Sequence, residues 1–264
     1  MPAPDPSTDT SSSPPARRFR WGRWLALLIW GALGAGAWGI YNGVLEIPGH
    51  LNPWAPLDVT AQPNLLTGYK LSRARSDPAR CLAALASTGM QYDTLPDRVT
   101  GDGCGFSNAV RLRTAAVRIG APLSLSCPMA LSFYMWERHA LQPAAQLHMG
   151  QPVAGIDHLG SYACRNINGG EGAPPNAPAR SRSRHATANA LDIAAFTLAS
   201  GKRITVLRDW PKEEAATPPS AEALLLRDAH SGACKYFKGV LGPDYNAVHS
   251  DHFHLETGGF SMCR

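Results

Sequence analysis

A run of 22 residues without a charged side chain, from Trp24 to Leu45, constrains this chain more than any other feature. The hydrocarbon core of a bilayer is about 30 Å thick and needs about 20 helical residues to cross it. The run therefore predicts one transmembrane helix over residues 24–45. Four arginines precede it and Glu46 follows. Because basic residues favour the cytoplasmic side, residues 1–23 are predicted to be a cytoplasmic tail, and its Pro, Ser and Thr content indicates disorder.

A cleaved signal peptide is the competing interpretation, since Ala35-Gly36-Ala37 resembles a small-residue cleavage site. The long preamble and the apolar residues that continue past Ala37 favour an uncleaved anchor. Either way, everything after Glu46 is predicted to cross the membrane. The sequence thus predicts a single-pass inner-membrane protein whose C-terminal domain lies in the periplasm.

All six cysteines lie beyond the apolar run, as expected for an oxidising compartment. An even number predicts up to three disulfides, and the lack of a C-x-x-C pair argues against a cysteine zinc knuckle. Spacing does not choose among the many possible connectivities, and we expect neighbours in sequence to pair. The expected pairs are Cys81–Cys104, Cys127–Cys164 and Cys234–Cys263.

Composition and charge indicate a globular domain that does not bind nucleic acid. The chain is 44% hydrophobic and 17% charged, which is ordinary for a packed core. Its net charge of +5 divides into +2 for residues 1–23 and +3 for the remainder. A surplus this small and dispersed does not form a phosphate-binding surface, so nucleic acid is excluded as a partner.

The exported part is predicted to be an α+β domain over residues 71–264, joined to the anchor by a Pro- and Gly-containing linker over residues 46–70. Three segments have helical character: "SDPARCLAALASTG", "CPMALSFYMWERHALQ" and "SAEALLLRDAHSGACKYF". Three others have β character: "QPVAGIDHLGSYACR", "ALDIAAFTLASGKRITVLRDW" and "HFHLETG". Helices and hairpins are mixed rather than alternating, which favours a small antiparallel sheet flanked by helices.

Two groups of polar residues stand out against this background. In the C-terminal strand, His252 and His254 project to one face because side chains alternate. Upstream, His185 and Asp192 are separated by an odd number of positions, so one continuous strand would place them on opposite faces. A bend over residues 187–189 would let His185 lie on a loop while Asp192 enters the strand. A carboxylate in an apolar strand is costly to bury unless it is paired or binds metal.

Taken together, these motifs resemble a known group of zinc peptidases. His-x6-Asp followed by His-x-His is similar to the zinc site of the lysostaphin, D-Ala-D-Ala metallopeptidase and hedgehog group. More closely, the order "WAPL", "C-x-x-x-L", "CG", "Y-x-CR", "H-x6-D" and "DHFHLE" resembles the bacterial extensin-like C-terminal domain family over residues 50–264. Ala188 departs from the group, which usually has glycine there, and alanine tolerates a positive φ poorly.

The resemblance implies Zn²⁺ as cofactor, bound by His185, Asp192 and His254 in a sheet-borne site. A catalytic zinc takes three protein ligands and one open position. Two residues are candidates for the base that deprotonates an attacking water, His252, which shares the face of His254, and then Asp251.

Three further residues are expected to surround the ligands. Arg165 is predicted to hold a substrate carbonyl or carboxylate, and His249 and Ser183 are candidates for supporting or substrate contacts. The Gly- and Pro-rich segment "NGGEGAPPNAPARSRS" is a candidate flap whose arginines, together with Arg184, would meet an acidic glycan or peptide.

Compartment and chemistry together predict a zinc metallopeptidase of the cell envelope that hydrolyses a stem or cross-link peptide of peptidoglycan. The alternative is a zinc-containing module that binds the cell wall without cutting it. A third interpretation treats the histidines as incidental in a disulfide-held scaffold.

Overall fold

A computed structural model describes residues 21–167, 182–211 and 218–264. The chain divides into two compact units after Pro48. The predicted tail, residues 1–23, lies outside the described residues except for its last three positions.

The first unit contributes one helix, α1, over Trp21–Tyr41. It is long and apolar enough to cross a membrane, with a mean hydropathy of 1.4. Its bounds differ from the predicted 24–45. The helix ends early because Gly43 adopts a left-handed φ of 68°, and the side chain of Asn42 donates to the Trp38 carbonyl (2.8 Å). Such a left-handed glycine is a frequent helix terminator.

The second unit mixes helices and short strands. The helices after α1 are α2 (Thr67–Arg75), α3 (Pro78–Ala86), α4 (Cys127–Trp136), α5 (Gln142–Met149), α6 (Val206–Asp209) and α7 (Ala221–Ala233), with a π-helical turn Glu137–Leu141 between α4 and α5. The strands are β1 (Gln91–Leu95), β2 (Arg98–Gly101), β3 (Cys104–Phe106), β4 (Ala109–Thr114), β5 (Leu123–Ser126), β6 (Val153–Gly160), β7 (Ala190–Leu198), β8 (Arg203–Thr205), β9 (Gly239–Leu241), β10 (Phe253–Glu256) and β11 (Met262–Cys263).

The largest sheet has the order β11-β9-β10-β7-β6, and β8 pairs with the second half of β7. Its pairs are antiparallel except β11–β9. A three-stranded sheet β1-β4-β5 and the hairpin β2-β3 complete the β structure. The mixed architecture with small sheets agrees with the predicted α+β class, but strands β1–β5 were not foreseen.

Strands β7 and β8 form a hairpin within the segment predicted to have β character, and its turn includes Gly201, which has a φ of 86°. The predicted strand beyond it forms only over Arg203–Thr205 as β8, because Val206–Asp209 forms the short helix α6. There the carboxylate of Asp209 accepts the backbone N–H of Thr205 (2.7 Å) and closes the helical turn.

Local chemistry explains the helix starts that the sequence indicated. The side chains of Asp77, Ser126 and Ser220 each accept a backbone N–H three residues on, as N-caps do. Helix α4 is buried on all sides and lies in the core. The indole N–H of Trp136 at its end donates to the Ala229 carbonyl (2.8 Å) and links α4 to α7.

The stretch predicted as a linker, residues 46–70, needs correction. The compact unit begins at Gly49 rather than at residue 71. Lys70 is buried and donates to the Gly49 carbonyl (2.6 Å), and the imidazole of His139 contacts the Val59 carbonyl (2.8 Å). These bonds hold most of the segment on the domain.

Three disulfides form, and two of the expected pairings are wrong. The bonds are Cys81–Cys127, Cys104–Cys164 and Cys234–Cys263. The first joins α3 to the start of α4, and the second joins β3 to the segment that follows β6. Neighbours in sequence do not pair here because the first four cysteines alternate between two separate contacts. The pair Cys234–Cys263 is confirmed.

Peptide mapping of the unreduced protein is expected to recover these three linkages and none between Cys81 and Cys104. Replacing both Cys81 and Cys127 by serine should lower the free energy of unfolding by about 4 kcal/mol, the loop-closure entropy of a 46-residue separation. A linkage of Cys127 to Cys164 would contradict the packing of α3 against α4.

Candidate metal centre

Strand pairing brings two of the predicted ligands together. Strand β10 runs antiparallel to β7, and His254 lies directly opposite Asp192 in the register. Directly opposite side chains on one face of a sheet are close enough to interact. The neighbouring residue Phe253 faces the other way and packs in the core against Phe196 and Trp210. The alternation predicted for the C-terminal strand is confirmed.

The third predicted ligand, His185, reaches the group from a 3₁₀ turn, Arg184–Thr187. The hydroxyl of Ser183 caps this turn by accepting the backbone N–H of His185 (3.3 Å). Ala188 then ends it in the left-handed region, with φ 54° and ψ 25°. Thus the bend that the odd spacing requires does form, and alanine takes up the conformation usual for glycine. Its carbonyl accepts the Ser126 N–H (2.8 Å), which holds the bend.

One donor atom from each of the three residues converges on a common point. His185 Nε2 lies 3.1 Å from Asp192 Oδ2 and 3.3 Å from His254 Nδ1. His254 Nδ1 lies 2.8 Å from Asp192 Oδ1. The three residues are buried and form a group that can hold a metal ion.

The remaining nitrogen of each imidazole is bound to a fixed acceptor. His185 Nδ1 lies 2.9 Å from the Ser161 carbonyl, and His254 Nε2 lies 3.1 Å from Glu256 Oε2. A carbonyl accepts only, so Nδ1 of His185 carries a proton, and Nε2 is the nitrogen that faces the group. Histidines that bind metals are typically oriented by an outer carbonyl or carboxylate in this way.

Charge is concentrated at Asp192. Burial of this carboxyl opposes its ionisation, but hydrogen bonds from His185 and His254 outweigh burial and hold the pKa of Asp192 far below its usual 3.8. Burial likewise opposes protonation of His254, yet Asp192 and Glu256 raise its pKa to about 9. At neutral pH the metal-free group therefore pairs an ionised Asp192 with a protonated His254, and a bound metal ion would take the place of that proton.

Two more predicted residues lie beside the group. His252 Nε2 is 3.7 Å from Asp192 Oδ1, while its Nδ1 is 2.8 Å from Asp251 Oδ1. Asp251 thus orients His252 so that Nε2 is directed towards the group. The ring of His249 packs at 5.3 Å from that of His252, and its Nδ1 is bound to Asn246 (2.7 Å).

Arg165 lies at the edge of the group, with Nη2 3.9 Å from Asp192 Oδ2. Its side chain is 41% exposed, so the guanidinium also faces solvent. Ser183 holds the turn through its cap and its N–H, which donates to the Arg165 carbonyl (3.0 Å). The structure therefore assigns Ser183 to positioning His185.

Most of the segment predicted as a flap, residues 168–181, lies outside the described residues. Arg182, its only described arginine, is bound within the fold: it donates to the Asp102 carbonyl (2.9 Å) and to the Asn166 side chain (2.9 Å). The expectation that Arg182 meets substrate stays a prediction.

Sequence reasoning missed two residues that organise the group. Glu256 lies two positions after His254 on the same face of β10, and this H-x-E spacing was the available signal. Asn189 fixes the end of the turn, since its side-chain carbonyl accepts the hydroxyls of Ser126 (2.7 Å) and Thr257 (3.2 Å). No spacing rule marks such a residue.

A second set of donor residues, His230, Cys234 and Cys263, also lies close together. Its two sulfurs are joined to each other in a disulfide. Since a metal ligand must be a thiolate, this set does not offer metal ligands in the oxidised protein.

The fold and the site define an α+β domain with a buried His-Asp-His group at the centre of its main sheet. Residues 79–264 match the family described as Extensin-like protein C-terminus. Since the match spans most of the chain, the protein belongs to this family, as its motifs predicted. Comparison with curated proteins and with solved structures gave no match. The expected relationship to the lysostaphin-type peptidases stays a prediction.

In the metal-free protein, the raised pKa of His254 predicts a loss of stability in mild alkali. A histidine whose pKa rises from 6.5 to about 9 on folding stabilises the fold fully below pH 6.5, and this contribution is lost as pH rises through 9. Thermal unfolding of the chelator-treated chain should show the decline, on the order of 1–3 kcal/mol. His254→Gln should flatten it, whereas a decline of equal size in that variant would contradict the assignment.

Glu256 is expected to matter for metal affinity although it is not a ligand. Glu256→Gln should weaken binding of a divalent ion by about 10–100-fold, as removal of an outer carboxylate does. Gly239→Ala tests the same contact from the other side, because the added Cβ would lie 2.5 Å from Glu256 Cγ. Competition with a metal indicator measures both, with the surface variant Glu222→Gln as control.

Proposed function

We propose that this protein is a zinc-dependent hydrolase that cleaves a peptide bond in the stem or cross-link of peptidoglycan. The observation that supports it most is the convergence of one atom each from His185, Asp192 and His254. Two imidazoles and one carboxylate are a donor set found in catalytic zinc sites.

The spacing of these atoms fits zinc. A tetrahedral ion with bonds of 2.0–2.1 Å has edges of roughly 3.3 Å between its ligands. The two imidazole nitrogens, His185 Nε2 and His254 Nδ1, lie 3.3 Å apart, which matches that value. Asp192 presents a different oxygen to each of them, Oδ2 at 3.1 Å from His185 Nε2 and Oδ1 at 2.8 Å from His254 Nδ1, and one of these oxygens would complete the set of three ligands. Hard ions such as Mg²⁺ prefer oxygen ligands throughout, so two imidazoles favour zinc.

The chain supplies the other groups that amide hydrolysis needs. When bound, zinc acidifies a water molecule so that hydroxide is available near neutral pH. Nε2 of His252 accepts the proton of the attacking water, because Nδ1 faces Asp251 and Nε2 faces the group. Asp251 stabilises the imidazolium that results. The two candidate bases thus form one dyad: His252 accepts the proton, and Asp251 orients the imidazole of His252.

Arg165 is proposed to bind the substrate carbonyl or a neighbouring carboxylate. Its guanidinium is near Asp192 but is not bound within hydrogen-bond distance, and it is partly exposed. In this position the planar guanidinium can turn its N–H donors towards an oxygen of the substrate. We assign it to substrate positioning beside the scissile bond.

The compartment suggests the substrate. An N-terminal helix that can cross a membrane and three disulfides are consistent with an anchored, exported domain. We propose that α1 holds the protein in the inner membrane and that the domain faces the periplasm. Peptidoglycan is the peptide-containing polymer adjacent to such a domain.

A wall-binding module that keeps zinc without turnover is the alternative. The His252–Asp251 dyad favours a hydrolase over a binding module, because a structural metal site needs no oriented histidine beside it. His252 touches no predicted ligand within hydrogen-bond distance, but its free nitrogen faces the group. Its position thus serves a reaction rather than the holding of an ion.

Incubating the full-length protein in mild detergent with isolated sacculi should release soluble peptide fragments. Chelator should stop the release and zinc should restore it. His252→Gln should lower the rate by about 10²–10⁴-fold, as loss of a general base does, while still binding zinc. His185→Ala should lose both zinc and activity.

The matched control is His50→Gln, which changes an exposed histidine away from the group. It should release fragments at the rate of the unchanged protein. If the unchanged protein binds sacculi and zinc but releases nothing, the module interpretation replaces the enzyme.

A further inference from the structure

A groove of about 850 Å³ opens beside the turn that carries His185. The hairpin β2–β3, the first residues of α3 and α4, and the turn itself form its walls. Arg184, Thr187 and Asn189 line it from the turn, whereas the three predicted ligands do not. The groove is therefore distinct from the metal group but shares one structural element with it.

Three arginines line this groove: Arg75, Arg98 and Arg184. Among the described residues, no carboxylate lies within ion-pair distance of any of the three. Asp97 also lines the groove, but one of its carboxylate oxygens accepts the Asn108 N–H (2.9 Å). The lining thus carries a surplus of two positive charges.

Arg75 is the most informative of the three. Burial lowers the pKa of its guanidinium, and its bonds go to two neutral acceptors, the Ser132 hydroxyl (3.1 Å) and the Tyr236 carbonyl (2.8 Å). A partly buried charge without a counterion is costly. An anion in the groove would supply the missing partner.

The other two arginines are exposed and can reach a ligand. Arg98 is the first residue of strand β2, and Arg184 lies beside Gly258 and Gly259. Glu256, which also borders Gly259, is bound to His254 and not to Arg184. Within residues 21–167, 182–211 and 218–264, neither guanidinium group has a side-chain hydrogen bond or an ion pair, so both can donate to a ligand.

We propose that this groove binds the carboxylate-bearing part of a peptide substrate, next to the bond that is cut. This inference rests on the proposed function for the identity of the peptide. Bidentate pairing of guanidinium with carboxylate gives such a site both affinity and orientation. The free α-carboxylates of stem peptides supply the matching charge.

Two covalent connections couple the groove to the metal group. Cys104 lines the groove and is bonded to Cys164, which immediately precedes Arg165. Arg184 immediately precedes His185 in the capped turn. A ligand held by the arginines would thus lie at a fixed offset from Arg165 and His185.

The test measures binding of a synthetic stem tetrapeptide to the full-length protein in detergent with chelator present. Arg98→Gln and Arg184→Gln should each weaken binding by about tenfold, and the double variant more. The control Arg113→Gln, whose arginine pairs with Asp93 outside the groove, should bind as the unchanged protein does. The amidated peptide should bind at least tenfold more weakly than the free acid.

Arg75→Lys keeps the buried charge but removes the fork, and it should weaken binding without loss of the fold. Equal binding by the unchanged protein and the double variant would overturn the inference. So would tight binding of tripolyphosphate where the tetrapeptide does not bind, which would assign the groove to a phosphorylated ligand. Because chelator is present, binding is independent of hydrolysis. Loss of cleavage with retained binding would count against the proposed function and not against the groove.

Discussion

The arrangement of the domain depends on one buried carboxylate, Asp192, at the centre of its main sheet. A charge in that position is unfavourable unless cations or donors surround it. The structure provides these from two directions, because β10 places His254 opposite and the capped turn brings His185 alongside. Other features of the site, such as the Ser183 cap and the left-handed Ala188, hold these two histidines in reach of Asp192.

The two imidazoles use opposite nitrogens towards the group, and each choice has a backbone cause. His185 enters from a turn, so its Nδ1 meets the Ser161 carbonyl of the segment after β6 and Nε2 points inwards. His254 projects from a strand, so its Nδ1 points inwards and Nε2 reaches Glu256 on the same face. The outer partners thereby fix the tautomer on which any metal binding depends, and a change in either would leave the inner atoms in place but alter their basicity.

Much of this site was accessible from sequence because it follows simple periodicities. Alternation along the C-terminal strand placed His252 and His254 on one face, and the odd spacing of His185 and Asp192 required a bend where Ala188 provides one. The disulfides Cys81–Cys127 and Cys104–Cys164 and the strands β1–β5 were not accessible, since both depend on which distant segments pack together. The position of Glu256 could have been predicted, because the alternation that places His252 and His254 on one face of the strand also places Glu256 there. Asn189 was not, because its role comes from three segments that meet only in the fold.

The 3₁₀ turn Arg184–Thr187 connects the proposed catalytic group to the arginine-lined groove. The 3₁₀ turn is short, yet its first two residues face different environments: Arg184 faces the groove, and His185 faces Asp192. The disulfide Cys104–Cys164 joins the opposite wall of the groove to the segment that presents Arg165. Movement of the β2–β3 hairpin would therefore shift the groove and Arg165 together. Under the proposed function, this connection would keep the carboxylate and the scissile carbonyl of a substrate at a constant distance from each other.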